Sequence, residues 1–63
     1  MATPETNRSK IVARLTRESW VSEGGAKHEK FGHASRPGFK IMVPRHGVVT
    51  VGVARNIAKA AGW

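Results

Sequence analysis

The chain has 63 residues, enough for one small domain over residues 1–63, and carries 11 Lys and Arg against four Asp and Glu, a net charge of +7. A domain of this size buries only about 60% of the surface that its unfolded chain exposes, so its core is small. The chain contains no cysteine, which excludes disulfides and cysteine-based zinc sites and fits a cytoplasmic protein. No apolar run approaches the ~18 residues of a membrane span, and the start lacks the apolar region of a signal peptide. The positive charge favours a polyanionic partner, most often a nucleic acid.

A first helix is predicted after a polar, disordered terminus that covers residues 1–6. Thr6 and Asn7 are both suitable N-cap residues, and the helical pattern ends near Glu18 or Ser19. Its apolar residues fall on one face and are Ile11, Val12 and Leu15. Its basic residues form either a solvated face or contacts to an RNA backbone, and they are Arg8, Lys10, Arg14 and Arg17.

Three short strands are predicted next. Their expected bounds are residues 20–23, 28–33 and 39–43, with two glycines before the second strand and a turn over residues 34–38 before the third. Because side chains alternate along a strand, Phe31 on the core face directs His28 and Lys30 to the opposite, exposed face. The other aromatic and apolar residues expected in the core of these strands are Trp20, Phe39, Ile41 and Val43.

A second helix is expected from Val51 to Ala61, capped by Thr50 and ended by Gly62. Its predicted core residues are Val53, Ile57 and Ala61. Trp63 then either packs on the sheet or docks a partner. The resulting order, α-β-β-β-α, predicts an α+β fold in which a three-stranded antiparallel sheet carries both helices on one face.

The strongest candidate for chemistry is residues 24–31, where a glycine turn opens onto His28 between Lys27 and Lys30. Histidine has the ordinary pKa nearest to neutral pH, so it can accept and return a proton. RNA supplies its own nucleophile, the 2′-hydroxyl, and lysines can stabilise the charge that develops on the phosphoryl oxygens. The pattern makes RNA cleavage by His28 a hypothesis; from the residues alone, a histidine that is merely polar surface is the more common case. Glu29 is expected on the opposite face, which argues against a His–Glu dyad.

Further candidates for phosphate contacts are Gly25, Arg45 and His46. Gly25 permits a positive φ in the turn, and its backbone N–H could also approach a phosphate. Arg45 and His46 share a basic loop. His33 and His46 are both candidates for protonating the leaving group. For His33 the favoured interpretation is a backbone hydrogen bond at the end of a strand, and for His46 a phosphate contact. The three histidines lack the spacing of a helical metal site and carboxylates are few, so no metal and no cofactor is expected.

Taken in their order along the chain, these motifs resemble those of the HicA toxin family. Members of that family are small ribonucleases of bacterial toxin–antitoxin pairs, and their fold is similar to a double-stranded RNA-binding domain. The matching segments are Trp20 and residues 25–28, 31–33, 43–46, 52–57 and 61–62. Three features depart from the family pattern. An alanine separates Gly25 from Lys27, Ser19 replaces a glycine, and Thr50 replaces a proline. The first departure bears on the geometry of the site and the other two on helix ends.

The resemblance implies that His28 is the catalytic residue of an endoribonuclease that cleaves mRNA in the bacterial cytoplasm. It also implies that a HicB-type antitoxin binds the toxin in a hetero-oligomer and covers the active face. The rival interpretation is a non-catalytic module similar to a double-stranded RNA-binding domain. Such modules carry lysines at the start of the second helix, whereas this helix begins with Val51-Gly52-Val53-Ala54. A structural DNA-associated protein would need no histidine after the turn.

Overall fold

The computed structural model describes residues 4–45 and 49–63. The elements, in chain order, are α1 (Arg8–Arg17), β1 (Val21–Ser22), β2 (His28–His33), β3 (Arg36–Pro44) and α2 (Val51–Ala61). The strands form one antiparallel sheet in the order β1-β2-β3. The predicted α-β-β-β-α order and α+β class are therefore confirmed. Neither helix in the described part of the chain has the length and apolar character needed to cross a membrane.

Helix α1 has a defined cap at each end. The side chain of Asn7 accepts a hydrogen bond from the backbone N–H of Lys10 at 3.2 Å. At the other end Ser19 adopts a left-handed conformation, with φ 73°, and the N–H of Trp20 donates back to the carbonyl of Leu15 at 2.9 Å. This bond is the one that defines a Schellman motif, and it turns the chain from the helix into β1.

Helix α2 is capped at both ends in the same way as α1. Thr50 accepts a hydrogen bond from the N–H of Val53 at 3.2 Å, Gly62 is left-handed with φ 82°, and the N–H of Trp63 donates to the carbonyl of Ala58 at 2.7 Å. The predicted cap, bounds and stop are confirmed. Both helices thus end in a left-handed residue followed by a tryptophan.

The indole of Trp63 packs on α1. Its Nε1–H donates to the Glu18 carboxylate at 2.7 Å, and the guanidinium of Arg14 lies 4.3 Å from its ring centroid. The indole is the main reason that the pKa of Glu18 lies below its ordinary value, and Arg14 adds to the effect. Trp63 therefore packs against α1 and the residue that follows it, not on the sheet, which was one of the two roles considered.

A single apolar cluster joins both helices to one face of the sheet. Its members are Ile11, Leu15, Trp20, Phe31, Ile41, Val43, Val49, Ala54 and Ile57. On α2 the deepest residues are Ala54 and Ile57, whereas Val53 and Ala61, which were expected beside Ile57, are only half-buried. Because residues of both helices and of the inner sheet face belong to one cluster, the helices share a face and the other face of the sheet is left open.

The prediction that Phe39 belongs to the core is wrong, since Phe39 is 41% exposed. Strand β3 begins earlier than expected, at Arg36, which pairs with His33, while the next pair is Lys40 with Gly32. The residues between the two pairs bulge out of the ladder, so the alternation of side chains is interrupted there. Phe39 consequently lies at the margin of the core, against Trp20, with ring centroids 6.4 Å apart.

Candidate active site

His28 is the first residue of β2 and is exposed. It pairs with Pro44 on β3, and two residues later Lys30 pairs with Met42. Phe31, which follows Lys30, is fully buried on the opposite face. His28 and Lys30 therefore share the open face of the sheet, as the alternation predicted.

The side chain of Glu29 lies on the face opposite to His28 and links β2 to helix α1. Its carboxylate accepts hydrogen bonds from the guanidinium of Arg8 and from the hydroxyl of Ser22, and Arg8 also donates to the carbonyl of Pro44 at 2.8 Å. The Ser22 hydroxyl, and after it Arg8, lowers the pKa of Glu29. The carboxylate is committed to these partners, so it is not part of a dyad with His28.

The glycine turn lies directly against the backbone of His28. Gly25 has φ 123°, and a Cβ at this position would overlap the carbonyl oxygen of His28. Gly24 also has a positive φ, of 84°, but a Cβ there would meet open space. Gly25 is therefore required both by conformation and by contact, whereas Gly24 is required by conformation alone.

Arg45 fastens this turn to the end of β3. Its guanidinium donates to the carbonyl of Gly25, and its backbone N–H donates to the carbonyl of Lys27 at 3.1 Å. Arg45, which was predicted to contact phosphate, is half-buried and has this internal partner. His46, the other predicted contact of that loop, lies outside the described residues.

The open face of the sheet carries an uneven distribution of charge. Lys40 forms an ion pair with Glu23, and the pair passes over Gly32, where a Cβ would strike both groups. Lys27 and Lys30 are exposed and form no ion pair with any carboxylate of the described chain. Lys30 therefore keeps its charge on the face that carries His28, and Lys27 adds a second exposed charge directly before β2.

His33 has a structural environment. The N–H of Ser35 donates to its Nδ1 at 3.1 Å, which makes Nδ1 an acceptor, so Nε2 carries the proton and donates to the carbonyl of Glu18 at 3.0 Å. The ring also meets Trp20 edge-on, with centroids 5.1 Å apart. Both ring nitrogens are used, which favours the interpretation of His33 as a backbone-bonded residue at the end of a strand.

A groove of about 350 Å³ runs between the outer edge of β3 and helix α2, and His28 lies on its wall. The other lining residues that matter here are Met42, Pro44, Val53 and Asn56. This groove was not predicted from the sequence, because its walls come from segments that only the packing of α2 on β3 brings together. The one available signal was Asn56, a polar residue directly before the buried Ile57.

Metal ligands are not grouped in the described part of the chain. No cluster of three or more His, Asp or Glu side chains lies there in a position to hold a metal ion. Three of the carboxylates form ion pairs with basic side chains instead: Glu18 with Arg14, Glu23 with Lys40 and Glu29 with Arg8.

The chain matches no protein-family model, no curated protein and no solved structure. The resemblance to the HicA family therefore depends on the ordered motifs of the sequence. Any function has to be inferred from those motifs together with the chemistry of His28 and the residues around it.

Proposed function

We propose that this protein is a HicA-like toxin, an endoribonuclease that cleaves mRNA with His28 as its catalytic residue. The observation that carries the proposal is the setting of His28. Its exposed side chain lines a groove, and its backbone carbonyl lies against Gly25, where there is no room for a Cβ. Lys27 and Lys30, close to it in the sequence, form no ion pair in the described part of the chain.

In the proposed reaction, neutral His28 removes the proton of a ribose 2′-hydroxyl. The 2′-oxygen forms a bond to the adjacent phosphorus, and the bond from phosphorus to the 5′-oxygen of the next nucleotide breaks. The leaving 5′-oxygen takes up a proton, so the step yields a 2′,3′-cyclic phosphate and a free 5′-hydroxyl without net proton change. Lys27 and Lys30 stabilise the charge on the phosphoryl oxygens as the fifth bond forms.

The other described histidine is poorly suited to this role. Both ring nitrogens of His33 are engaged with backbone groups, and Glu29 is committed to Arg8 and Ser22. His28 is thus the described residue best able to exchange a proton with a bound strand. A metal is not required by this scheme, because the 2′-hydroxyl and the imidazole supply the nucleophile and the base.

The decisive experiment is incubation of purified protein with single-stranded RNA, with and without EDTA. Wild type is expected to cleave in both conditions and to leave 2′,3′-cyclic phosphate ends, while His28→Ala loses about 10²–10⁴-fold in rate. His33→Gln is the matched control and should retain the rate per folded molecule, as judged by circular dichroism. Cleavage of an all-deoxy strand, loss of activity in EDTA, or an active His28→Ala protein would contradict the mechanism. Binding of RNA without cleavage would favour the rival RNA-binding module.

A HicB-type antitoxin is the proposed protein partner. An acidic surface covering His28, Lys27 and Lys30 would neutralise the unpaired charge and block access to the imidazole. Because a partner that binds only the folded state stabilises it, a thousand-fold excess over Kd should add about 4 kcal/mol to the free energy of unfolding. A thermal melt of the protein with the product of the adjacent gene measures this. An unchanged Tm, or a complex that still cleaves RNA at full rate, would rule out inhibition by masking.

A further inference from the structure

We propose that the groove between β3 and α2 binds one unpaired nucleobase of the RNA strand, next to the phosphodiester bond that His28 cleaves. The inference builds on the proposed ribonuclease function and adds to it a recognition site for one base of the single-stranded substrate. Its central observation is that His28 and Asn56 line the same groove although they lie 28 residues apart in the sequence.

The walls of the groove suit the flat face of a base. Met42, which is 46% exposed, lies on one side together with Pro44, and Val53 lies on the other. Methionine adapts its shape to an aromatic ring and makes favourable sulfur–aromatic contacts. In a duplex both faces of a base are covered by its neighbours, so only a base that is unstacked and turned outward can enter a groove of this kind.

Asn56 offers the groove a polar group that suits the edge of a base, whereas Lys40, which also lines the groove, is paired with Glu23. Asn56 is exposed on α2, and its amide offers both a donor and an acceptor. An asparagine amide can pair with two atoms of one base edge, most commonly N6 and N7 of adenine. Since His28 acts on a phosphodiester bond, a base held by Asn56 in the same groove would fix which bond lies beside the imidazole.

The alternative occupant is an extended acidic peptide that pairs with the outer edge of β3. Such a peptide would be held mainly by backbone hydrogen bonds to the strand and would leave both Asn56 and His28 without a role. The lining of the groove includes both of these side chains, which favours the nucleobase over the peptide.

The test uses oligonucleotides that contain a single unmodified ribonucleotide. All remaining nucleotides are 2′-O-methylated, so that only one bond can be cleaved. The nucleotide on each side of that bond is varied through all four bases, and kcat/KM is measured for each. Wild type should prefer one base at one of the two positions. Asn56→Ala should lower kcat/KM for that base by about 5- to 150-fold and leave the other bases nearly unchanged. Lys59→Ala, also exposed on α2 but outside the groove, is the matched control and should affect all bases equally.

Two results would overturn the inference: base preferences that survive in Asn56→Ala, and equal cleavage of the same bond within a duplex. Fully 2′-O-methylated strands separate this inference from the proposed function, because they bind but cannot be cleaved. If wild type cleaves no RNA yet binds these strands with a base preference that Asn56→Ala removes, the groove assignment stands and the ribonuclease proposal fails. If an oligoglutamate peptide, but no oligonucleotide, shifts the amide NMR signals of Met42 and Asn56, the groove is a peptide site and the inference is wrong.

Discussion

The guanidinium of Arg45 holds the backbone carbonyl of Gly25, and this bond joins the end of β3 to the turn that precedes His28. The backbone N–H of Arg45 also donates a hydrogen bond to this turn, at the carbonyl of Lys27. An arginine in a basic loop suggests a phosphate contact, but here its side chain has an internal partner. We therefore expect Arg45 to position the active site rather than to bind substrate directly.

Arg45→Ala should lower kcat by about 10- to 100-fold while KM changes little, because a displacement of about 1 Å at a catalytic group costs on the order of 10²-fold. A residue that only binds phosphate would instead raise KM and reduce the salt dependence of binding. Steady-state kinetics on a single-site oligonucleotide distinguish the two. A raised KM with unchanged kcat would show that Arg45 is a phosphate contact after all.

Gly25→Ala should inactivate the protein, because the added Cβ overlaps the carbonyl of His28 and must displace it. Gly24→Ala is the matched control, since its φ is also positive but its Cβ meets nothing within 4 Å. The control should lose about 1 kcal/mol of stability through backbone strain and keep its rate of cleavage. Thermal melts and cleavage rates of the two variants check this. Equal activity of both would show that the contact between Gly25 and His28 is unimportant.

Binding of single-stranded RNA should weaken steeply with salt. Phosphate contacts of Lys27 and Lys30, at ~0.7 each, should contribute about −1.4 to the slope of log K against log salt. In the His28→Ala background, removing Lys27 and Lys30 together should reduce this slope by about 1.4. The double variant Arg55→Ala/Lys59→Ala removes the same charge from α2 and should leave the slope unchanged. Equal slopes in the two double variants would mean that Lys27 and Lys30 are only solvated.

Ser19→Gly should stabilise the protein by about 1 kcal/mol, because Ser19 holds a left-handed conformation that disfavours residues with a Cβ. For a domain of this size the gain corresponds to a rise in Tm of roughly 4–8 °C. Ser35→Gly is the control, since Ser35 does not have a positive φ and glycine there only increases the entropy of the unfolded chain. A lower Tm for Ser19→Gly would show that the serine side chain makes up for the strain.

Glu29→Gln should remove part of the acid sensitivity of the fold. The pKa of Glu29 is lowered, chiefly by Ser22 and then by Arg8, so its carboxylate stabilises the native state above its ordinary pKa of about 4.3. That contribution is lost as the pH falls through the lowered native pKa. The variant should therefore be less stable than wild type by about 1 kcal/mol at neutral pH, with the difference vanishing in acid. Denaturant titrations over a pH series, with Glu5→Gln as control, measure both effects.

Much of this fold could be predicted from the sequence because local rules determine it. Asn7 and Thr50 cap their helices through their own side chains, and Gly62 ends α2 because it tolerates a positive φ. The exposure of His28 follows from the period of two along β2 once Phe31 is assigned to the core. These features depend on a few neighbouring residues, so spacing and residue type are sufficient to predict them.

The remaining features depend on how the elements pair and pack. Phe39 was misassigned because the pairing of β2 with β3 shifts register between Gly32 and His33, and the alternation along β3 alone does not reveal that shift. In the same way, the partner of Arg45 is a backbone carbonyl 20 residues away. The groove beside His28 exists only because α2 packs along β3, so Asn56 could not be assigned to the site before the packing was known.

The ion pair between Glu23 and Lys40 crosses the sheet over Gly32 and makes the distribution of charge on the open face uneven. At Gly32 the charges of Glu23 and Lys40 cancel, while Lys30, nearer to His28 on the same face, keeps its charge. This uneven charge acts on an approaching polyanion before contact and orients it toward His28 during the encounter. The salt concentration should consequently act mainly on the association rate constant, whereas the time for which a strand stays bound is governed by the short-range contacts made after arrival.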